Sequence, residues 1–250
     1  MAFVYIERAV AFPMVRLSLF RIRAFTGGAL ASGMNALARG AITLVLVFYL
    51  QSPLINLSPL AAGVYLIPNS ASIALMGPVS GWLSDKYDPR IFTTGGLVIS
   101  AIGLALLTQI GPKVNFWDLT PALILVGAGF GIFASPNRSS VMSAVPPEHR
   151  GVASGITSTT LQFGMSLSRA LAFVIMGSVL PAGDIERLFA GTLILNTPAE
   201  SQLFINSVRL VFQVSTVLLL ISIVPSILRG KRFFTVERTD GAPTPPAGAD

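Results

Sequence analysis

The stretch SPLAAGVYLIPNSASIALMGPVSGWL, residues 58–83, decides what kind of molecule this is. From Pro59 to Leu83 it holds no charged side chain. A helix rises about 1.5 Å per residue, so about 20 mostly apolar residues cross the ~30 Å hydrocarbon layer of a bilayer. The run meets that length. Its start is also marked, because Ser58 supplies a capping oxygen and Pro59 sits where a helix has no use for the N–H that proline lacks. The reading is a transmembrane helix.

Working outward, five more runs of this kind appear. They span residues 24–50, 89–110, 121–142, 151–180 and 203–228, with further serine, aspartate or threonine–proline starts at Asp88-Pro89 and Thr120-Pro121. None alternates every second residue as a porin strand does. The expected fold class is all-α integral membrane, one bundle of six transmembrane helices. Residues 1–23 form a cytoplasmic segment and residues 229–250 a cytoplasmic tail, whose Pro, Gly and Ala content from Asp240 onward predicts disorder. Composition agrees. Apolar residues make up 52% of the 250-residue chain and charged residues 11%, where a soluble domain has about 25% charged. Mean hydropathy is +0.73. Cysteine is absent, which excludes a disulfide scaffold, thiol catalysis and cysteine-based metal sites.

The net charge of +6 is explained by topology. If six helices thread alternately, Arg8, Arg16, Arg21, Arg23, Lys86, Arg90, Arg138, Arg150, Arg229, Lys231, Arg232 and Arg238 fall on one side. Lys113 and Arg187 fall on the other, and Arg39, Arg169 and Arg209 lie inside spans. Twelve against two places the first side, and both termini, in the cytoplasm. Nucleic acid is therefore not an expected partner. The first residues do not read as a signal peptide, since no basic leader precedes an apolar core.

Enzyme chemistry finds no footing. The single histidine, His149, lies in a Pro-Pro-Glu-His-Arg loop and reads as a solvated residue. No catalytic cluster, metal site, phosphate loop or dinucleotide fingerprint is present, so no cofactor is expected. Gly127, Gly129 and Gly131 lie inside a span and read as small residues for close helix packing.

The turn between the second and third spans is Gly81-Trp82-Leu83-Ser84-Asp85-Lys86-Tyr87-Asp88-Pro89-Arg90. It resembles the cytoplasmic signature loop of the major facilitator superfamily. Phe48-Tyr49-Leu50-Gln51, Ser58 to Gly63 with Pro68, and Val145-Pro146-Pro147-Glu148-His149-Arg150-Gly151 through Gly155, followed by Gln162 and Gly164, are similar to the drug:proton antiporter branch. Arg21 and Phe25 fit as well. The resemblance covers about Pro13 to Ala170 and implies the C-terminal half of a multidrug-efflux carrier, with a 3+3 inverted repeat and alternating access. It implies that Gly81, Asp85, Lys86, Asp88 and Arg90 form a cytoplasmic gating loop, whose latch partner comes from the N-terminal bundle. Asp88 stands where the family usually has glycine, and Ile91 replaces a second basic residue. The triplets show no sequence self-similarity.

Ionisable groups inside a membrane are functional candidates. Arg39 lies fifteen residues into the first span, about 22 Å from its cytoplasmic end, and Asn35 is one turn away on the same face. Arg169 lies deep in the fifth span, with Gln162 two turns before it. These four are the expected substrate-cavity residues. Interhelical bonding or snorkelling is the structural alternative for Arg39. Arg138 and Arg209, nearer the membrane surfaces, are expected to snorkel. All eleven carboxylates fall in loops or termini, so the bundle carries no evident proton site. The expected partners are the bilayer, a small-molecule substrate and a second six-helix bundle, either a separate N-terminal half or another copy. A half-size carrier or a truncated, transport-inactive membrane protein remain the alternatives.

Overall fold

The structure, a computed structural model, describes residues 17–181, 183–195 and 197–228. The readings of the first sixteen residues and of the tail from residue 229 lie outside the described residues. The helices are α1 (Arg23–Arg39), α2 (Ile42–Gln51), α3 (Pro59–Lys86), α4 (Pro89–Leu107), α5 (Phe116–Ser143), α6 (Arg150–Val179), the short α7 (Asp184–Phe189) and α8 (Pro198–Leu228). Among the described residues, six helical segments are long and apolar enough to cross a membrane, with α1 and α2 together forming the first.

Several starts follow from local chemistry. Ser58 Oγ accepts the Ala61 N–H at 3.3 Å and caps α3. Asp88 Oδ1 accepts the Arg90 N–H at 3.0 Å and caps α4, which gives the aspartate in the signature loop a local task. The Thr120-Pro121 boundary is corrected. α5 begins five residues earlier, at Phe116. The Asp118 carboxylate accepts the Asn115 N–H at 3.0 Å, which secures the end one turn upstream. Thr120 does not cap; its hydroxyl donates to the Phe116 carbonyl at 2.7 Å. α8 likewise starts at Pro198, where Thr197 and Glu200 exchange reciprocal bonds of 3.2 and 3.3 Å.

The packing is arranged around α5, α1 and α8. α5 lies against both α3 and α4, α1 against both α6 and α8, and α4 against α8. Numbering the spans one to six, the contacts are 1–2, 1–4, 1–5, 1–6, 2–3, 2–4, 3–4, 3–6, 4–5 and 5–6. Exchanging spans one to three with four to six maps this set onto itself. The two triplets therefore pack as equivalent repeats, although their sequences are unlike.

Backbones approach closely because the contacts are glycines. A Cβ on Gly127 would lie 2.2 Å from the Asn69 carbonyl of α3, and one on Gly131 would lie 3.0–3.1 Å from Met76 and Gly77. On Gly129 it would lie 2.4 Å from the Gly96 carbonyl of α4. Residues 127 and 131 share a face four apart, and 129 looks the other way, so this short run serves two neighbours. Polar side chains add cross-links. Asn137 Nδ2 donates to Ser32 Oγ (2.6 Å) and the Gly28 carbonyl (3.2 Å) of α1, and Ser100 Oγ donates to the Val126 carbonyl (3.2 Å).

Gly129→Val should leave little folded protein in the membrane. The same change at Gly95, where a Cβ meets nothing within 4 Å, should leave near-normal amounts. Detergent extraction and gel filtration of the two variants checks this. Equal recovery would contradict the packing role.

Candidate functional site

The first span is not one continuous helix. α1 ends at Arg39, and Gly40 and Ala41 form a turn before α2. The cause is packing against α6. A Cβ on Gly40 would lie 2.7 Å from the Met165 Cα, and a Cβ on Gly164 would lie 2.6 Å from the Gly33 carbonyl. Within the break, the Ala41 N–H donates to the buried Ser168 hydroxyl at 2.9 Å instead of to its own helix. Irregular backbone at membrane depth needs such a partner or a cavity beside it, and here both are present.

The cavity beside the break is about 490 Å³. Asn35, Arg39, Thr43 and Arg169 supply its polar lining, and Leu44, Val47, Phe130, Leu161 and Met165 much of the apolar part. The Arg39 guanidinium carbon sits 3.5 Å from the centroid of the Phe130 ring of α5. Arg39 thus packs its charge against an aromatic face, a favourable cation–π arrangement. Asn35 is 1% exposed, and its Nδ2 has no hydrogen-bond partner among the described residues. A buried donor without an acceptor costs about 1–3 kcal/mol.

Of the four expected cavity residues, the structure brings Asn35, Arg39 and Arg169 together. Gln162 is exposed and does not line the cavity. It lies only about 20° around the helix from Arg169, on the border of the cavity, in a row that sequence reasoning did not recognise. Ser154, Ser158, Thr159, Gln162, Ser166 and Arg169 are all exposed on α6 and form one polar sector. Phe163, Leu167 and Val174, also exposed, form an apolar sector beside it. A regular 3.6-residue projection of this span could have shown the split. Phe130 carried no such signal, because a phenylalanine in an apolar run is ordinary core.

The loop residues are placed as follows. A Cβ on Gly81 would lie 2.7 Å from Ser135 Oγ of α5, so the glycine lets α3 and α5 meet beside the turn. Asp85, Lys86 and Asp88 are exposed. The Lys86 ammonium lies 4.0 Å from the Trp82 ring centroid. Arg90 is half-buried, and its Nε and Nη2 are buried without a partner among the described residues. Arg138 is exposed. Arg209 does more than snorkel, since its Nε donates to the Ile110 carbonyl at 2.7 Å. Together with Tyr49, whose hydroxyl donates to the Gly111 carbonyl at 2.5 Å, it ties down the connection between α4 and α5.

Six apolar helices, with a charged cleft lined by the first, fourth and fifth of them, define a multi-pass membrane protein. Residues 6–169 match the family model of the Major Facilitator Superfamily, and the chain belongs to that family. It is similar to the riboflavin transporter RibZ of Clostridioides difficile, 33% identical over 159 residues, covering 62% of this chain and 34% of that protein. It is also similar to the uncharacterized transporter YebQ of Escherichia coli, 28% identical over 77% of this chain and 42% of the relative. A puromycin resistance protein of Streptomyces alboniger is 30% identical over 68% of this chain and 34% of its own length. The chain therefore spans between a third and somewhat over two fifths of these relatives.

Proposed function

We propose that the chain forms one six-helix half of a secondary transporter that moves small organic molecules across the cell membrane, as in drug efflux. The single observation that carries the reading is the cleft at the α1–α2 break, with Asn35, Arg39 and Arg169 on its wall and the polar sector of α6 running on from it. Family membership and relatives named for riboflavin transport and for antibiotic resistance support it.

The polar sector argues for a second bundle. Facing lipid, the hydroxyls could turn only to their own helix, as Thr157 and Thr160 do, and the Gln162 amide and Arg169 guanidinium would find no partners, at a cost of several kcal/mol. α8 shows the contrast, because Val217, Leu220, Ile221, Val224 and Ile227 are exposed there and suit hydrocarbon. In this reading the second bundle, another segment or another copy, covers α6 and closes the cavity. Alternating access follows when one bundle rocks against the other. Exposed Asp85 and Lys86 meet the partner on the cytoplasmic side. Photo-crosslinking from residue 158 or 162 tests this in membranes. A protein adduct is expected, and adducts to lipid alone would contradict it.

The twelve-to-two charge asymmetry supports cytoplasmic termini. Reporter fusions after Gly111 and at Asp184 should report outside, and one after Lys231 inside. An outside signal for the last would overturn the orientation.

A further inference from the structure

The charged groups of the cleft are donors only, and its neutral polar lining is the Asn35 amide and the Thr43 hydroxyl. Arg39 and Arg169 each bring a guanidinium, and Asn35 brings an amide nitrogen that has no acceptor among the described residues. No carboxylate lines it. Among the described residues, the ion pair the structure holds is Arg187–Asp184 at 3.2 Å, on α7 and away from the cleft. The side chains of Arg39 and Arg169 donate no hydrogen bond to any described residue.

At 3.5 Å from the ring centroid, the planar Arg39 group rests on the face of Phe130, which occupies its π surface and not its edges. The N–H groups of a guanidinium point outward in its own plane, in a fork that matches a carboxylate, sulfonate or phosphate bidentately. Phe130 therefore holds Arg39 in place while its donors stay available. Arginine remains charged throughout the physiological range. A cleft with two such charges at membrane depth repels organic cations and lacks a counter-ion of its own. The apolar part of the lining, Leu44, Val47, Leu161 and Met165, suits the hydrocarbon or ring portion of a ligand.

From this geometry we infer that the ligand of the cleft is an organic anion, a planar or apolar body bearing an acidic group that Arg39, Arg169 and Asn35 bind. The inference rests on the reading of the cleft as the substrate site and adds the charge class of the substrate. Its donors complement an acid, and an acid supplies the acceptors that Asn35 and both guanidinium groups lack.

The test uses the purified chain, with any co-purifying bundle retained, in phosphatidylcholine nanodiscs. Carboxyfluorescein is the anionic probe and ethidium the cationic one, both read by fluorescence anisotropy. Saturable carboxyfluorescein binding is expected, weakened tenfold or more by Arg39→Gln and by Arg169→Gln, and less by Arg39→Lys, which keeps the charge and loses the fork. Ethidium should bind at least tenfold more weakly than carboxyfluorescein. Gel-filtration profiles matching wild type exclude misfolding as the cause. Ethidium binding that falls with Phe130→Ala but ignores both arginine variants would overturn the anion class while leaving the cleft as the site. If neither probe responds to Phe130→Ala or to Met165→Trp, the cleft is not the site, and the underlying reading fails with the inference. Added phosphatidylglycerol should leave carboxyfluorescein binding unchanged apart from a salt-like weakening. Stoichiometric displacement would identify a lipid headgroup as the occupant and overturn a soluble substrate.

Discussion

Arg39→Ala should lower transport of a recognised substrate by about 10–100-fold while the protein stays in the membrane at near-normal levels. The size follows from a charge-assisted hydrogen bond worth about 1.5–3 kcal/mol, with each 1.4 kcal/mol a factor of ten. The sparing of folding follows from the surroundings of Arg39. Its described contact is the Phe130 ring at 3.5 Å, and it holds no buried carboxylate that its removal would strand. Backbone geometry at the break depends on Gly40 and on the Ala41–Ser168 bond, neither of which the substitution touches. Transport assays normalised to membrane protein decide the matter. Lost protein with unchanged specific transport would mean that Arg39 is structural.

A pH gradient should drive no flux through this chain reconstituted alone in liposomes, beyond that of empty vesicles. Proton coupling needs a group that binds a proton in one state and releases it in another. The described carboxylates all sit at helix ends or in connections. Asp85 ends α3, Asp88 caps α4, and Asp118 and Glu200 lie in first turns. Glu148 is in a one-turn helix, and Asp184 and Glu186 are in α7. His149 shares the one-turn helix. What remains at depth is arginine, which does not titrate usefully. Robust pH-driven transport would refute both this account of the carboxylates and the need for a second bundle.

The membrane class and the six-helix architecture were legible in the sequence because span length and charge-free runs are imposed by the bilayer itself. Helix ends were legible where one residue does the capping, as at Ser58 and Asp88. They were misread at α5, where Trp117 and Asp118 look like loop but form the first turn, with Pro121 carried inside the helix. The equivalence of the two triplets was invisible, since it resides in which helices touch and not in shared residues. Within the site, charge made Arg39 and Arg169 visible. The break at Gly40 and Ala41 escaped notice because its cause lies on another helix, at Met165 and Ser168. Phe130 escaped for the same reason, since only the fold brings its ring under Arg39. The polar sector of α6 is carried mostly by serines and a threonine, whose small hydroxyls stand out less in an apolar run than the Gln162 amide and the Arg169 charge.

The central claim is that the polar sector of α6 bounds a water-filled transport path, while α8 faces lipid. The chain has no cysteine of its own, so single cysteines report without background. Ser158→Cys and Gln162→Cys should react with a charged, membrane-impermeant thiol reagent, whereas Val217→Cys and Ile221→Cys should stay unlabelled until the membrane is dissolved. Equal labelling at all four positions, or labelling of α8 alone, would contradict the account.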